Sequence, residues 1–132
     1  MDSFDIRTRK RSEFVEITDR VREIVQRKNL QQGICLVYCP HTTAAITINE
    51  NADPDVGHDM LLWLDRTIPR HQPDFRHGEG NSDSHIKSSL VGASAHVIVE
   101  HGELVQGRWQ GIYFCEFDGP RTRTVHVQCL AS

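Results

Sequence analysis

The chain has 132 residues, of which 38% are hydrophobic and 25% charged, with a net charge of −3 at pH 7 and a mean hydropathy of −0.46. That length predicts one compact domain, residues 1–132, with a core of its own, and the apolar share excludes disorder as the default. The acid-leaning balance leaves no basic excess for coating nucleic acid, and no run reaches the ~18–20 apolar residues of a membrane helix.

The N-terminal stretch Met1 to Arg11 has no apolar centre of the signal-peptide kind, so a soluble cytoplasmic protein with neither nucleic-acid nor membrane partner is expected. Of four cysteines, Cys35, Cys39 and Cys115 sit inside apolar runs and read as buried thiols. Eight histidines in so short a chain are the strongest compositional signal.

In chain order, strand-like runs at Phe4–Arg9 and Phe14–Ile17 lead into a helix capped by Thr18 or Asp19 and closed by Gly33, with Val21, Ile24 and Val25 inward. Two β-branched runs, Ile34–Cys39 and Ala45–Asn49, are separated by Pro40-His41-Thr42-Thr43. Asp53-Pro54 then opens a helix running to about Thr67, with Val56, Met60, Trp63 and Leu64 as its inner side. From Ile68 to Ser84 the composition turns polar, a loop long enough to expect function in it. A helix over about Ser84–Leu90 follows, capped by Ser82 or Asp83, with Ile86 and Leu90 inward and Gly92 at its end. The last third reads as an antiparallel meander: Ala95–Glu100, a turn at His101-Gly102, Glu103–Gln106, Gln110–Phe117 and Thr122–Leu130. The pattern predicts an α+β domain with a largely antiparallel sheet.

Period-two counting sets polar groups at strand ends: His41 after Cys35, Val37 and Cys39; Glu50 after Ile46 and Ile48; Glu116 and Asp118 after Ile112 and Phe114. Glu116 and Asp118 have two open readings, a functional one and simple pairing with Arg121 or Arg123 across the Gly119-Pro120 turn. The segment from Phe75 to His85 carries the most ligand-type side chains and ends at a helix N-terminus, where anions bind. Glu79 and Asp83 there would repel a bare phosphate unless a divalent cation neutralises them. His41, His77 and His85 stand at element ends and are the metal-ligand candidates, although their spacing matches no zinc signature.

These motifs give the chain a resemblance to the YjbQ-type family, also called the secondary thiamine-phosphate synthase family. It is carried by Pro40-His41-Thr42-Thr43-Ala44, Thr47 through Val56, His58-Asp59-Met60, Arg76-His77, Glu79-Gly80-Asn81, His85 through Leu90, Gly107-Arg108-Trp109-Gln110 and Glu116 through Arg121. Arg108 departs from the Thr usual in that family, so no role is assigned to it. The resemblance implies a two-layer α+β sandwich with helices on one face of the sheet, assembling as a homotrimer around a threefold axis. It implies histidine-held metal, zinc first, with His41, His77 and His85 at matching positions and Asn49, Glu50, Asn81 and Lys87 near them.

The function expected on these grounds is an enzyme acting on a phosphorylated small molecule, with secondary thiamine-phosphate synthase activity. That activity joins a pyrimidine diphosphate to a thiazole phosphate and releases pyrophosphate, with magnesium accompanying the diphosphate. Glu50 is expected as general base or as a supporting residue behind the metal ligands, Lys87, Arg121 and Arg123 receive phosphate oxygens, and Asn49, Asn81 and Asp118 complete the substrate-binding set. The rival readings are a metal-dependent phosphoester hydrolase and a non-catalytic trimeric module that binds metal or a phosphometabolite.

Overall fold

The computed structural model describes residues 1–132 as an α+β fold of eight strands and three helices. One sheet has five strands in the order β1 (Asp2–Arg7), β8 (Thr122–Ala131), β3 (Gly33–Tyr38), β5 (Ser94–Glu100), β6 (Glu103–Leu104). The other has three, in the order β2 (Glu13–Glu16), β7 (Gln110–Glu116), β4 (Ala44–Glu50). Every pairing is antiparallel.

The expected meander therefore breaks twice, between β6 and β7 and again between β7 and β8. β7 and β8 are consecutive in the chain but lie in different sheets, because the turn through the cis Gly119-Pro120 bond carries the chain from one to the other. There is no room at Gly119 for a side chain, since a Cβ would lie 2.4 Å from the Lys10 carbonyl oxygen. The hairpin at His101-Gly102 forms as expected, with φ of 52° and 76°, the left-handed pair that a two-residue turn needs.

The inward residues of the five-stranded sheet (Phe4, Cys35, Val37, Val97, Val99, Val125, Val127) share one core with Ile46, Ile112 and Phe114 of the other sheet and with α1 (Thr18–Arg27). Val21, Ile24 and Val25 supply the α1 side, as their spacing predicts. Neither Thr18 nor Asp19 caps that helix: Ile17 occupies the cap position, while the Thr18 hydroxyl donates to Glu16 Oε2 (2.8 Å) and accepts from the Ile112 amide (2.9 Å). Gly33 begins β3 rather than closing the helix, and Asn29, at φ 53°, makes the turn.

A smaller cluster of Ala45, Cys115, Phe117, Leu64 and Ile68 fills the other side of the three-stranded sheet, beneath α2 (Pro54–Thr67). The Asp53 carboxylate caps α2 by accepting from the Asp55 amide at 2.9 Å, as the Asp-Pro pair predicts. The inner side of α2 is narrower than its pattern: Leu64 is buried, Val56 and Met60 are half-buried, and Trp63 is 62% exposed. The outer face of the five-stranded sheet has no covering element, and Ile34, Tyr38, Ile98 and Leu130 stand exposed on it.

Candidate functional site

The third helix, α3 (Ser82–Val91), starts two residues before its expected beginning and is oriented against its apolar pattern. Ile86 and Leu90 are exposed, whereas Asp83, Ser84, Lys87 and Ser88 are buried. Polar groups face inward because each finds a partner. The Lys87 ammonium lies 3.0 Å from Asp83 and 2.6 Å from Asp65. Arg11 holds both oxygens of Asp83 at 3.1 and 3.0 Å. Ser84 donates to the Phe117 carbonyl and Ser88 to the Thr42 carbonyl, each at 2.5 Å. Burial pushes the Asp83 carboxyl up, but Arg11 and Lys87 outweigh it and leave it below its ordinary value, so it is ionised and neutralised by the chain's own cations.

Lys87 is thus a buried ion-pair partner, not a group presented to substrate, and Arg123 corrects the expectation in the same way. Only 2% exposed, Arg123 donates from Nε to Glu116 Oε2 (2.8 Å), from Nη2 to Glu116 Oε1, and from Nη2 to the Thr43 hydroxyl (2.9 Å). Glu116 also accepts from the Thr8 hydroxyl and the Asp118 amide, both at 2.9 Å. Of the two readings open for Glu116, pairing is the one the structure contains. Asp118 accepts from the Asn81 amide at 2.7 Å and from the exposed Arg121 at 3.3 Å. Asn81 is itself buried, and its Oδ1 has no partner.

The polar loop, residues 68–81, is anchored by buried Ile68 and folded by the Phe75 amide on the Gln72 carbonyl (3.1 Å) and the Gly80 amide on the His77 carbonyl (3.2 Å). It delivers His77 beside His85, with ring centres 5.5 Å apart and planes at 84°. Three adjoining cavities follow α3. The first, about 390 Å³, includes Arg70, His71, His77 and Ser82 in its wall; the second, about 490 Å³, includes Phe75, His77, Ser82 and His85; the third, about 470 Å³, includes His85, Ser88 and His41. His85 is common to the second and third, so the three predicted histidines border one groove.

They do not form one ligand cluster: no three His, Cys, Asp or Glu side chains come together around a point that holds a metal ion. His41 lies in the neighbouring cavity and accepts the Thr124 amide on Nε2 at 2.9 Å. Burial and the nearby Arg123 hold its imidazole below the ordinary value, which keeps it neutral near pH 7. Within one chain the donor set is therefore the His77–His85 pair, and a three-histidine metal centre does not fit it.

Asn49 and Glu50 are apart from these residues. They sit at the far end of β4, about 20 Å from its start at ~3.3 Å per residue. There they border a separate cavity of about 300 Å³ with Phe14, His58, Met60 and Tyr113. The Asn49 side chain accepts the Glu50 amide at 2.7 Å, and the Tyr113 hydroxyl donates to the Glu50 carbonyl at 3.2 Å. Sequence reasoning missed Arg70 and His71, whose only signal was their place in the polar loop. It also missed Arg11, Asp65 and Thr8, which become partners only through long-range contacts.

The family model described as UPF0047 protein YjbQ-like matches residues 2–132. YugU of Bacillus subtilis, a UPF0047 protein, is 56% identical over 130 residues, covering 98% of each chain. MJ1081 of Methanocaldococcus jannaschii, also a UPF0047 protein, is 50% identical over 96% of this chain and 91% of its own. The crystal structure of an uncharacterized conserved protein of the YjbQ/UPF0047 family from Clostridium acetobutylicum superposes with a TM-score of 0.96 at 48% identity, covering 98% of this chain and 100% of that one. No helix here is long and apolar enough to cross a membrane. With its sequence matched from end to end and its fold superposed on a solved family member, the chain belongs to the YjbQ-like UPF0047 family.

Proposed function

We propose that the groove along α3 is the active site of an enzyme acting on a phosphorylated small molecule, with thiamine-phosphate synthase chemistry as a secondary activity. The observation that carries the reading is the placement of His41, His77 and His85 along one groove, beside a helix whose buried acid is already neutralised. His77 and His85 offer ring N–H groups that can donate to a phosphoryl oxygen. Asn81 and Arg121, coupled through Asp118, orient the polar end of the substrate at the start of α3. A divalent ion, zinc first, belongs to the proposal with the His77–His85 pair as its ligands, and magnesium as the companion of a diphosphate. The cytoplasm, where four free cysteines stay reduced, is the proposed compartment.

The bare outer face of the five-stranded sheet supports the finer part of the fold proposal, a two-layer sandwich assembling as a homotrimer. Ile34 pairs with Ile98 on one side and Leu130 on the other, an apolar row across three strands that association would cover. A second reading, the non-catalytic binding module, is favoured by one observation: Glu50, the expected base, lies at the other end of β4 from the histidines.

The test is pyrophosphate release from a pyrimidine diphosphate and a thiazole phosphate, read together with elemental analysis of untagged protein, for the native chain and His85→Ala. Release that falls with His85→Ala supports the enzyme. Binding of either substrate without release by the native chain overturns it in favour of the module.

A further inference from the structure

Resting on the reading of the α3 groove as a phosphometabolite site, we infer that its Arg70 end is the anion subsite, in which Arg70 and His71, not Lys87 or Arg123, hold the phosphate or diphosphate. The reassignment is forced first by charge already spent. Lys87 and Arg123 are at most 2% exposed and paired with the chain's own carboxylates, so neither presents its charge to a ligand at the surface.

The cavity of about 390 Å³ at the start of α3 has Arg70, His71 and His77 in its wall and no carboxylate. Arg70 is braced there by Nε on the Gly80 carbonyl at 3.3 Å, which leaves both terminal guanidinium nitrogens unbonded and fixes the plane of the fork. Gly80, at φ +71°, turns the chain so that this carbonyl is available, and nothing lies within 4 Å of where its Cβ would be.

Ser82, the first residue of α3, is also in the wall, and the helix starts there with no side-chain cap. The residue in the capping position, Asn81, has its amide turned to Asp118 and is buried with Oδ1 unpartnered. The first-turn acid, Asp83, is compensated by Arg11 and Lys87 and does not oppose an anion. Phe75 is shared with the adjoining cavity that contains His85, so an anion held by Arg70 places the rest of an esterified molecule along Phe75 toward the histidine pair. The ligand class is a phosphate or diphosphate monoester whose organic part extends past Phe75.

The probe is inorganic pyrophosphate, titrated calorimetrically into the native chain, Arg70→Ala, His71→Gln and Arg108→Ala. Arg108 is exposed and stacked over Trp109, outside the cavity. The inference expects native binding, a loss of at least about tenfold in Arg70→Ala from removal of a charge-assisted pair, a smaller loss in His71→Gln, and none in Arg108→Ala. Because Arg70 is exposed, Arg70→Ala keeps the native melting temperature, which separates a binding effect from unfolding. Native affinity retained by Arg70→Ala overturns this subsite and leaves the phosphometabolite reading standing. Absence of pyrophosphate binding to the native chain overturns both.

Discussion

Arg123→Met separates the two roles this arginine was open to. The substitution keeps the aliphatic length and removes a guanidinium that is 2% exposed and bonded to a fully buried Glu116. Breaking one side of such a pair costs about 3–5 kcal/mol, because the remaining charge stays buried without compensation. Here Glu116 keeps the Thr8 hydroxyl and the Asp118 amide, both at 2.9 Å, so the lower end of that range applies, about 3 kcal/mol. At ~2.1 cal/mol/K per residue, a chain of 132 residues melts with an entropy near 0.28 kcal/mol/K, and the loss lowers Tm by about 11 °C. Replacing the pair together, Glu116→Leu with Arg123→Met, recovers part of the loss, since no lone charge is left in the core. Circular dichroism melts of the native chain, the single variant and the double variant measure both effects. A single variant that melts within about 2 °C of native, under ~1 kcal/mol, refutes the buried-pair argument and returns Arg123 to the substrate-binding set.

Lys87→Met destabilises in the same way by about 3 kcal/mol in urea denaturation, Arg11 remaining on Asp83; an unchanged midpoint contradicts the burial of that pair. Glu116 and Asp83 are both held below their ordinary carboxyl values of 4.5 and 3.8, burial being outweighed by their cationic partners. Depressed acids contribute stability that is full above those values and lost as pH falls through the lower folded ones, so urea midpoints fall steeply below about pH 4.5. In Arg123→Met the acid limb is shallower, because Glu116 without its arginine is no longer held as far below its unfolded value and loses less stability on protonation; superimposable acid limbs refute this. Ile98→Glu, on the outer sheet face, leaves the circular dichroism spectrum native and shifts the sedimentation coefficient to that of a single chain. A native-sized assembly carrying that charge refutes the proposed interface.

Local physics made much of the fold readable. The Asp53-Pro54 start of α2, the α1 stripe and the His101-Gly102 hairpin follow from capping, period and turn chemistry within a few neighbouring residues. What escaped depends on contacts far apart in the chain. α3 buries its charged face instead of Ile86 and Leu90 because Arg11, more than seventy residues earlier, supplies the counter-charge for Asp83. β7 and β8 look like neighbours in a meander until the turn at Gly119-Pro120 sends them to separate sheets. In the site, the histidines were recognisable by type and position, and the structure sets them along one groove. The basic residues chosen by parity were those spent on ion pairs, whereas Arg70 and His71 were passed over, since no sequence spacing distinguishes a free guanidinium from a paired one.

The central claim is that ligand binds along α3 and not in the cavity around Asn49 and Glu50. The most direct measurement is heteronuclear NMR of the eight histidine imidazoles during a pyrophosphate titration. The account predicts shifts at His71, His77 and His85, which border the groove, with His58, which borders the Glu50 cavity, unmoved. Shifts centred on His58, with His71, His77 and His85 unmoved, would contradict it.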